Sequence, residues 1–411
     1  MNLKYKLDNL IYKYLFIILY ISLLVGFYFN ENTLGGSYLD YQTQKEISKK
    51  FSENFLYTLL HFDNERTRHS PVLISILSIF EKFTINDEIT RLISLHFLLL
   101  IIYFFYRCLK LKFPNYNSKN IYFISLLIFL SPTFRSLSIW PDSRLYGILF
   151  LTISIYYYLK FLKEKKSKEK FKFAISNTIY LCIASYFSPN FSLFAIFFLY
   201  YFFKYFNFTK YTCLIIFLNL ILSLPAIYYV FFLKIYFFLA PVTEYSQKLI
   251  ALNPANKILL ISSIFLYHFI PFLFISKNKI LLDKKILFII LTIFLCSIYF
   301  FNYEYNFTGG GIFYKLSNII FKNNYSLYFF ALIGLMLIFN LLHDNLNNLL
   351  LIIIIFLGNP QLEIYHKYYD PMLLILLFTL FKIKFYNNFS KKNVLTFYSF
   401  SFLFLIVNLF K

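Results

Sequence analysis

Apolar positions in this chain fall in long blocks separated by short polar joints. The blocks lie at 11–29, 89–107, 120–139, 144–162, 172–187, 190–206, 211–232, 257–276, 286–301, 325–342, 346–358, 371–385 and 394–410. With about 20 apolar residues as the length of one crossing, they predict an all-α polytopic transmembrane helix bundle of about 13 spans. The blocks at 172–187 and 346–358 are short for that role. One polar segment, residues 35–91, interrupts the rhythm straight after the first block. Within it Ile47, Phe51, Phe55 and Leu59 recur near helical spacing, and Pro71 opens 72–80 as a helix-start proline would. Both pieces suit helices lying flat on a membrane surface. Residues 30–88 are therefore expected to form a large first outer loop, in a single membrane-embedded unit covering 1–411.

Composition narrows the class. Of the 411 residues, 59% are hydrophobic, 23% aromatic and only 14% charged, a balance that no soluble domain carries. The net charge of +21 would suit nucleic acid, but the basic residues cluster in short joints between blocks, where orientation signals belong. Nucleic acid is thus not an expected partner. Cys108, Cys182, Cys213 and Cys296 fall in or at the ends of apolar blocks, with neither metal-ligand nor disulfide spacing. Block 11–29 has no small-residue cleavage site and reads as a retained first span.

Charge then orients the spans. With Lys4, Lys6 and Lys13 inside, alternation puts the joints 107–119, 160–172, 204–210, 277–285, 343–345 and 382–392 on the cytoplasmic face. All but 343–345 are rich in lysine or arginine, as the positive-inside rule requires. The outer face receives 35–91, 140–144, 188–190, 241–256, 302–324 and 358–370. Acids, histidines and aromatics gather there, so the chemistry is expected at the outer mouth of the bundle. The first loop alone holds Asp40, Glu46, Glu53, Asp63, Glu65, Arg66, Arg68 and His69. Inside the blocks His96 and His268 are the main ionisable residues, and both are expected to be hydrogen-bonded core histidines.

The outer motifs come in a distinctive order. Asp40 follows the first span, and Arg68-His69-Ser70-Pro71 closes the polar part of the loop. Arg91-Leu92-Ile93-Ser94 opens the second span. Leu130-Ser131-Pro132 and then Pro141-Asp142-Ser143-Arg144-Leu145-Tyr146-Gly147 come next, and Tyr365-His366-Lys367-Tyr368-Tyr369-Asp370-Pro371 opens a late span. In this order they resemble the GT-C-type membrane glycosyltransferases, in particular the protein mannosyltransferase and aminoarabinose transferase group (glycosyltransferase family 39-like). That group has an acid in the first outer loop, a His-Pro-Pro-like motif, Arg-Leu-x-Ser, Ser-Pro, Arg-x-Tyr and a late Arg-Tyr-x-x-Pro. The likeness is clearest over 11–162. Here the group's Asp-Glu is Asp40-Tyr41, its His-Pro-Pro is His69-Ser70-Pro71, and Ser188-Pro189-Asn190 stands where a Tyr-x-His is often found.

The resemblance implies an enzyme that transfers a sugar from a polyprenyl-phosphate donor to a lipid, glycan or protein acceptor at the outer face. It also implies an integral protein of the bacterial inner membrane, surrounded by membrane lipids. Transfer needs a base for the acceptor hydroxyl, and Asp40 is the expected base. The leaving lipid phosphate needs fixed cations, for which Arg68, Arg144 and Lys367 are candidates. His69 and His366 are further candidate substrate contacts. Asp142 has three open roles: assisting the acceptor, orienting Arg144, or joining Asp40 at a divalent metal. No cofactor is otherwise implied. The plain alternatives are a solvated Asp40, a helix-capping Asp142 with a local Arg144 ion pair, a capping His69, and His366 and Lys367 snorkelling at a span end. Tyr38 and Tyr41 suit anchoring at the interface. A polymerase of lipid-linked oligosaccharides would carry its largest outer loop later in the chain. A flippase or transporter would show paired halves and polar groups near the midplane.

Overall fold

Helices form where the apolar blocks lie. The computed structural model describes residues 3–34, 36–237, 253–275, 283–303, 309–359, 363–384 and 391–409, and every regular element among them is helical. The first half comprises α1 (Leu3–Tyr28), α2 (Ser37–Glu53), α3 (Phe55–Leu60), α4 (Pro71–Lys82), α5 (Asp87–Leu98), α6 (Leu100–Lys112), α7 (Ser118–Leu126), α8 (Pro132–Ile139), α9 (Ser143–Lys163) and α10 (Ser167–Phe187). The second comprises α11 (Phe194–Phe206), α12 (Lys210–Ile227), α13 (Pro254–Leu273), α14 (Lys284–Tyr299), α15 (Gly311–Leu316), α16 (Tyr325–Asp344), α17 (Leu346–Leu357), α18 (Met372–Thr379) and α19 (Lys391–Leu409). The expected joints at 241–252, 277–282, 304–308 and 385–390 lie outside the described residues.

Among the described residues, six helical rods are long and apolar enough to cross a membrane: Asp87–Lys112, Ser143–Lys163, Lys210–Phe232, Pro254–Leu273, Tyr325–Leu342 and Lys392–Leu409. This is a helical membrane protein. The larger number of crossings expected from the blocks is a finer count than these lengths establish. α17, for example, has 12 residues, about 18 Å at 1.5 Å per residue, against a hydrocarbon core of about 30 Å. α9 and α10 pack along one another, as do α13 and α16. α13 is enclosed on nearly all sides, whereas Lys210–Phe232 presents Phe217, Leu220, Leu224 and Phe231 outward, as suits a lipid-facing helix.

The block at 120–139 is not one straight span. It is broken at Ser131, where its two halves bend by 62°. Pro132 has no N–H to continue the ladder, and the Ser131 hydroxyl accepts from Phe134 N at 3.0 Å, starting α8 afresh. The break draws Arg135, an ionisable residue inside an expected span, into a buried pair with Glu31. The expectation that His96 and His268 were the main charged interruptions therefore missed Arg135. His96 faces outward and bonds Tyr20 Oη and Leu92 O, both at 2.7 Å. His268 is buried, but its Nε2 has no hydrogen-bond partner among the described residues.

In the polar segment, Ile47 and Phe51 of α2 are buried with Phe62 and Ile74. The apolar stripe does not continue along one helix. α2 stops at Asn54, whose side chain accepts from Tyr57 N at 3.2 Å and opens α3, leaving Phe55 half exposed. Pro71 begins α4 as the sequence predicts, with Ser70 Oγ accepting from Val72 N at 3.2 Å. Tyr41 is not an interface anchor. It is buried and donates to Asp87 Oδ1 at 2.6 Å, while Tyr38 stays outside, edge-on to Trp140.

Candidate functional site

Asp40 lies in the first turn of α2 rather than in a loop. Unpaired N–H groups at a helix start favour an acid there. Its side chain is 30% exposed, and Lys367 Nζ donates to its Oδ2 at 2.8 Å. Lys367 comes from the other end of the chain, on the 3-10 turn His366–Tyr368. His69 stands between two acids, with Nε2 3.8 Å from Asp40 Oδ1 and Nδ1 3.7 Å from Asp142 Oδ2. The other oxygen of Asp142 accepts Arg144 N at 2.8 Å and caps α9. The capping reading of Asp142 thus holds, and the same carboxylate also faces His69.

The cations are held differently. Arg144 makes no ion pair with Asp142 among the described residues; its guanidinium lies 3.9 Å from the centroid of the Tyr368 ring. Arg68 Nη1 meets Glu363 Oε2 at 3.1 Å, and Tyr365 Oη donates to that same oxygen at 2.8 Å. His366 sits against Tyr267, His268 and Phe404. All seven residues singled out in the sequence, Asp40, Arg68, His69, Asp142, Arg144, His366 and Lys367, line one cavity of about 420 Å³. Most of its walls come from the joints 35–91, 140–144, 188–190, 302–324 and 358–370, all assigned to one face by charge alternation, and Phe404 and Asn408 of α19 contribute to the lining. Lys112, Lys204 and Lys382, from three joints assigned to the opposite face, lie near enough to feel one another's charge.

Contacts between distant motifs hold the site together. Tyr146 Oη donates to Ser94 Oγ at 2.8 Å, joining the heads of α9 and α5. Ser131 Oγ donates to Asp370 Oδ2 at 2.6 Å, joining the break before α8 to the late segment. Glu363, Tyr368, Asp370, Glu31 and Arg135 had no assigned role in the sequence reading. Arg135 carried a usable signal as a charge inside an apolar block. The others are ordinary residues until a partner from far along the chain meets them.

The electrostatics follow from this crowding. Burial alone would raise the Asp40 carboxyl, but Lys367, with His69 beside it, holds it well below the usual carboxylate range. Burial disfavours a charged His69, yet contact with Asp40 and the charges of Asp142 and Asp40 raise it above its ordinary value. Lys367 is likewise raised, Asp40 and Asp142 outweighing its burial. Two acids therefore face a lysine and a histidine. Asp40, His69 and Asp142 each offer one ligand atom, all within 4.8 Å of one another. A divalent ion held by these three would have to displace Lys367 from Asp40.

The fold and the site define a helical membrane protein with a cavity lined by charged side chains from distant parts of the chain. Set against known proteins, the chain matches no family model, no curated protein and no solved structure.

Proposed function

We propose that this protein is a GT-C-like glycosyltransferase that moves a sugar from a polyprenyl-phosphate donor to a lipid, glycan or protein acceptor. Its cavity opens on the outer face of a bacterial inner membrane, with the N-terminus in the cytoplasm and about 13 crossings. One observation carries the reading. A carboxylate able to take a proton and three cations able to meet a phosphate line a single cavity, although residues 40 and 367 are 327 apart in sequence.

The residues divide the work. Asp40 takes the proton of the acceptor hydroxyl as that oxygen bonds to the sugar's anomeric carbon. The bond from that carbon to the phosphate oxygen breaks, and its electron pair leaves on the lipid phosphate. Arg144, Arg68 and Lys367 meet the charge that collects there. Arg144 is pre-aimed by its stack on Tyr368, and Arg68 by Glu363. His69, held between Asp40 and Asp142, positions the base.

The test is transfer of a labelled sugar from polyprenyl phosphate in membranes, with protein levels matched. Asp40→Asn should cut turnover by about a hundredfold or more, the scale of a lost general base. A variant as fast as wild type would remove Asp40 as the base. Reporter fusions at Asp63 and Lys166 test the face: they should report outer and cytoplasmic sides, and a shared side would overturn the orientation.

A further inference from the structure

Lys367 stands where it hinders the base. Its ammonium donates to Oδ2 of the carboxylate that must accept a proton, and a carboxylate so paired is a poor acceptor. The other two candidate phosphate cations are fixed elsewhere, Arg68 on Glu363 and Arg144 over Tyr368. Among these three cations, Lys367 is the one whose partner is the base itself. It sits on a short 3-10 turn and carries its ammonium on a flexible four-carbon stem, and its side chain, 22% exposed, lines the cavity.

We propose that Lys367 changes partner during the reaction, leaving Asp40 for the phosphate of the bound donor, so that the base is freed only when a donor is present. The proposal rests on the transferase reading above. Three features support it. Asp40 is not stranded when the lysine leaves, because His69 remains 3.8 Å from its other oxygen. His69 in turn is held by Asp142 on its far side, 3.7 Å from its Nδ1. The charged residues that share the cavity with the Asp40–Lys367 pair are Arg66, Arg68 and His69 from the loop, Asp142 and Arg144 from the head of α9, Lys315 from α15 and Glu363 from the late segment; the ring of Tyr368 lies under Arg144. Lastly, a sugar phosphodiester carries one negative charge, and its phosphate gains a second as the sugar leaves. The lysine's attraction to phosphate therefore grows toward the transition state, which is where a contact accelerates the step. Lys367 stays protonated throughout, and the acceptor's proton goes to Asp40.

Infrared difference spectroscopy on the full chain in phosphatidylcholine nanodiscs, with carbon-13-labelled aspartate, reads the exchange directly. Asp40→Asn identifies the Asp40 carboxylate band. Adding polyprenyl phosphate should shift that band in the wild type. In Lys367→Met the band should already lie at the shifted position and not respond, and polyprenyl phosphate should bind roughly tenfold or more weaker. Inorganic phosphate forms the second arm. A response to it as well assigns recognition to the phosphate group, and a response to the lipid form alone assigns it to phosphate presented from the membrane; either supports the exchange. Polyprenyl phosphate that binds tightly while the wild-type Asp40 band stays still would overturn the exchange and leave the transferase reading standing. Binding of neither form would remove both. Should Lys367→Met not fold, the wild-type arm decides alone.

Discussion

Two acid–base pairs lie near the same end of this molecule and share their chemistry, but not their surroundings. Arg135 grips Glu31 with two nitrogens, Nε to Oε1 at 2.7 Å and Nη2 to Oε2 at 2.5 Å, and its remaining donors reach Ser22 Oγ at 3.0 Å and Ser22 O at 2.9 Å. Both side chains are buried, at 6% and 7% exposure. Trp140, stacked over Arg91, donates to Glu31 O at 3.1 Å. Gly26 faces the pair, and a Cβ there would collide with the Glu31 carboxylate. Lys367 and Asp40 share one bond and look onto an open cavity. An enclosed pair has no other partner to turn to, so it acts as a fastener between α1 and α8. An open pair can trade partners with whatever enters.

Removing one charged partner from each pair separates these roles most sharply. Arg135→Met leaves Glu31 buried and uncompensated and should cost about 3–5 kcal/mol of stability. Trp140, the only tryptophan in the chain, reports unfolding from beside the pair. A variant as stable as wild type would dissolve the contrast. Asp40→Asn should lose turnover about a hundredfold or more while stability changes by no more than about 1 kcal/mol, the scale of a partly exposed pair. A large drop in the unfolding midpoint would instead make Asp40 a second fastener.

Smaller effects sharpen the picture. Arg144→Ala should raise the donor KM about tenfold, through the loss of a charge-assisted contact. Ser143→Ala should change it little. Equal effects would mean that the head of α9, rather than the guanidinium, was perturbed. The pH dependence of stability should carry the smallest signature. His69 is raised, so its contribution is fully present below the ordinary histidine value of about 6.5 and is lost as pH rises through its folded value. Asp40 is depressed, so its contribution is present above the ordinary carboxylate value of about 3.9 and disappears only as pH falls through its lower folded value. Unfolding midpoints across these ranges should show the alkaline loss flattened in His69→Gln. An unchanged alkaline limb would mean that His69 is not the group lost there.

Much of this was written locally. Block length and composition placed the helices, because burying a backbone in apolar surroundings requires its hydrogen bonds to close within the segment. Pro71 after Ser70 marked the start of α4 through the proline's fixed φ and the serine's capping oxygen. Alternating lysine-rich joints sorted the polar segments into two sets, and five joints of one set line the cavity. The order of the motifs picked out the seven residues that meet there.

What hydropathy cannot carry is pairing between distant residues. The 62° break at Ser131 looked like continuous apolar sequence, since a proline at a helix start and one inside a span read alike until the chain bends. Tyr41 resembled an interface anchor until Asp87 came within 2.6 Å. Asp40 and Lys367, and Arg68 and Glu363, are separated by 327 and 295 residues. The sequence by itself determined which segments are helical and which side chains can carry charge. Only the tertiary structure decided which charges meet and whether they are enclosed, because an ion pair's strength and freedom depend on distance and burial, and neither is a property of any one stretch of chain.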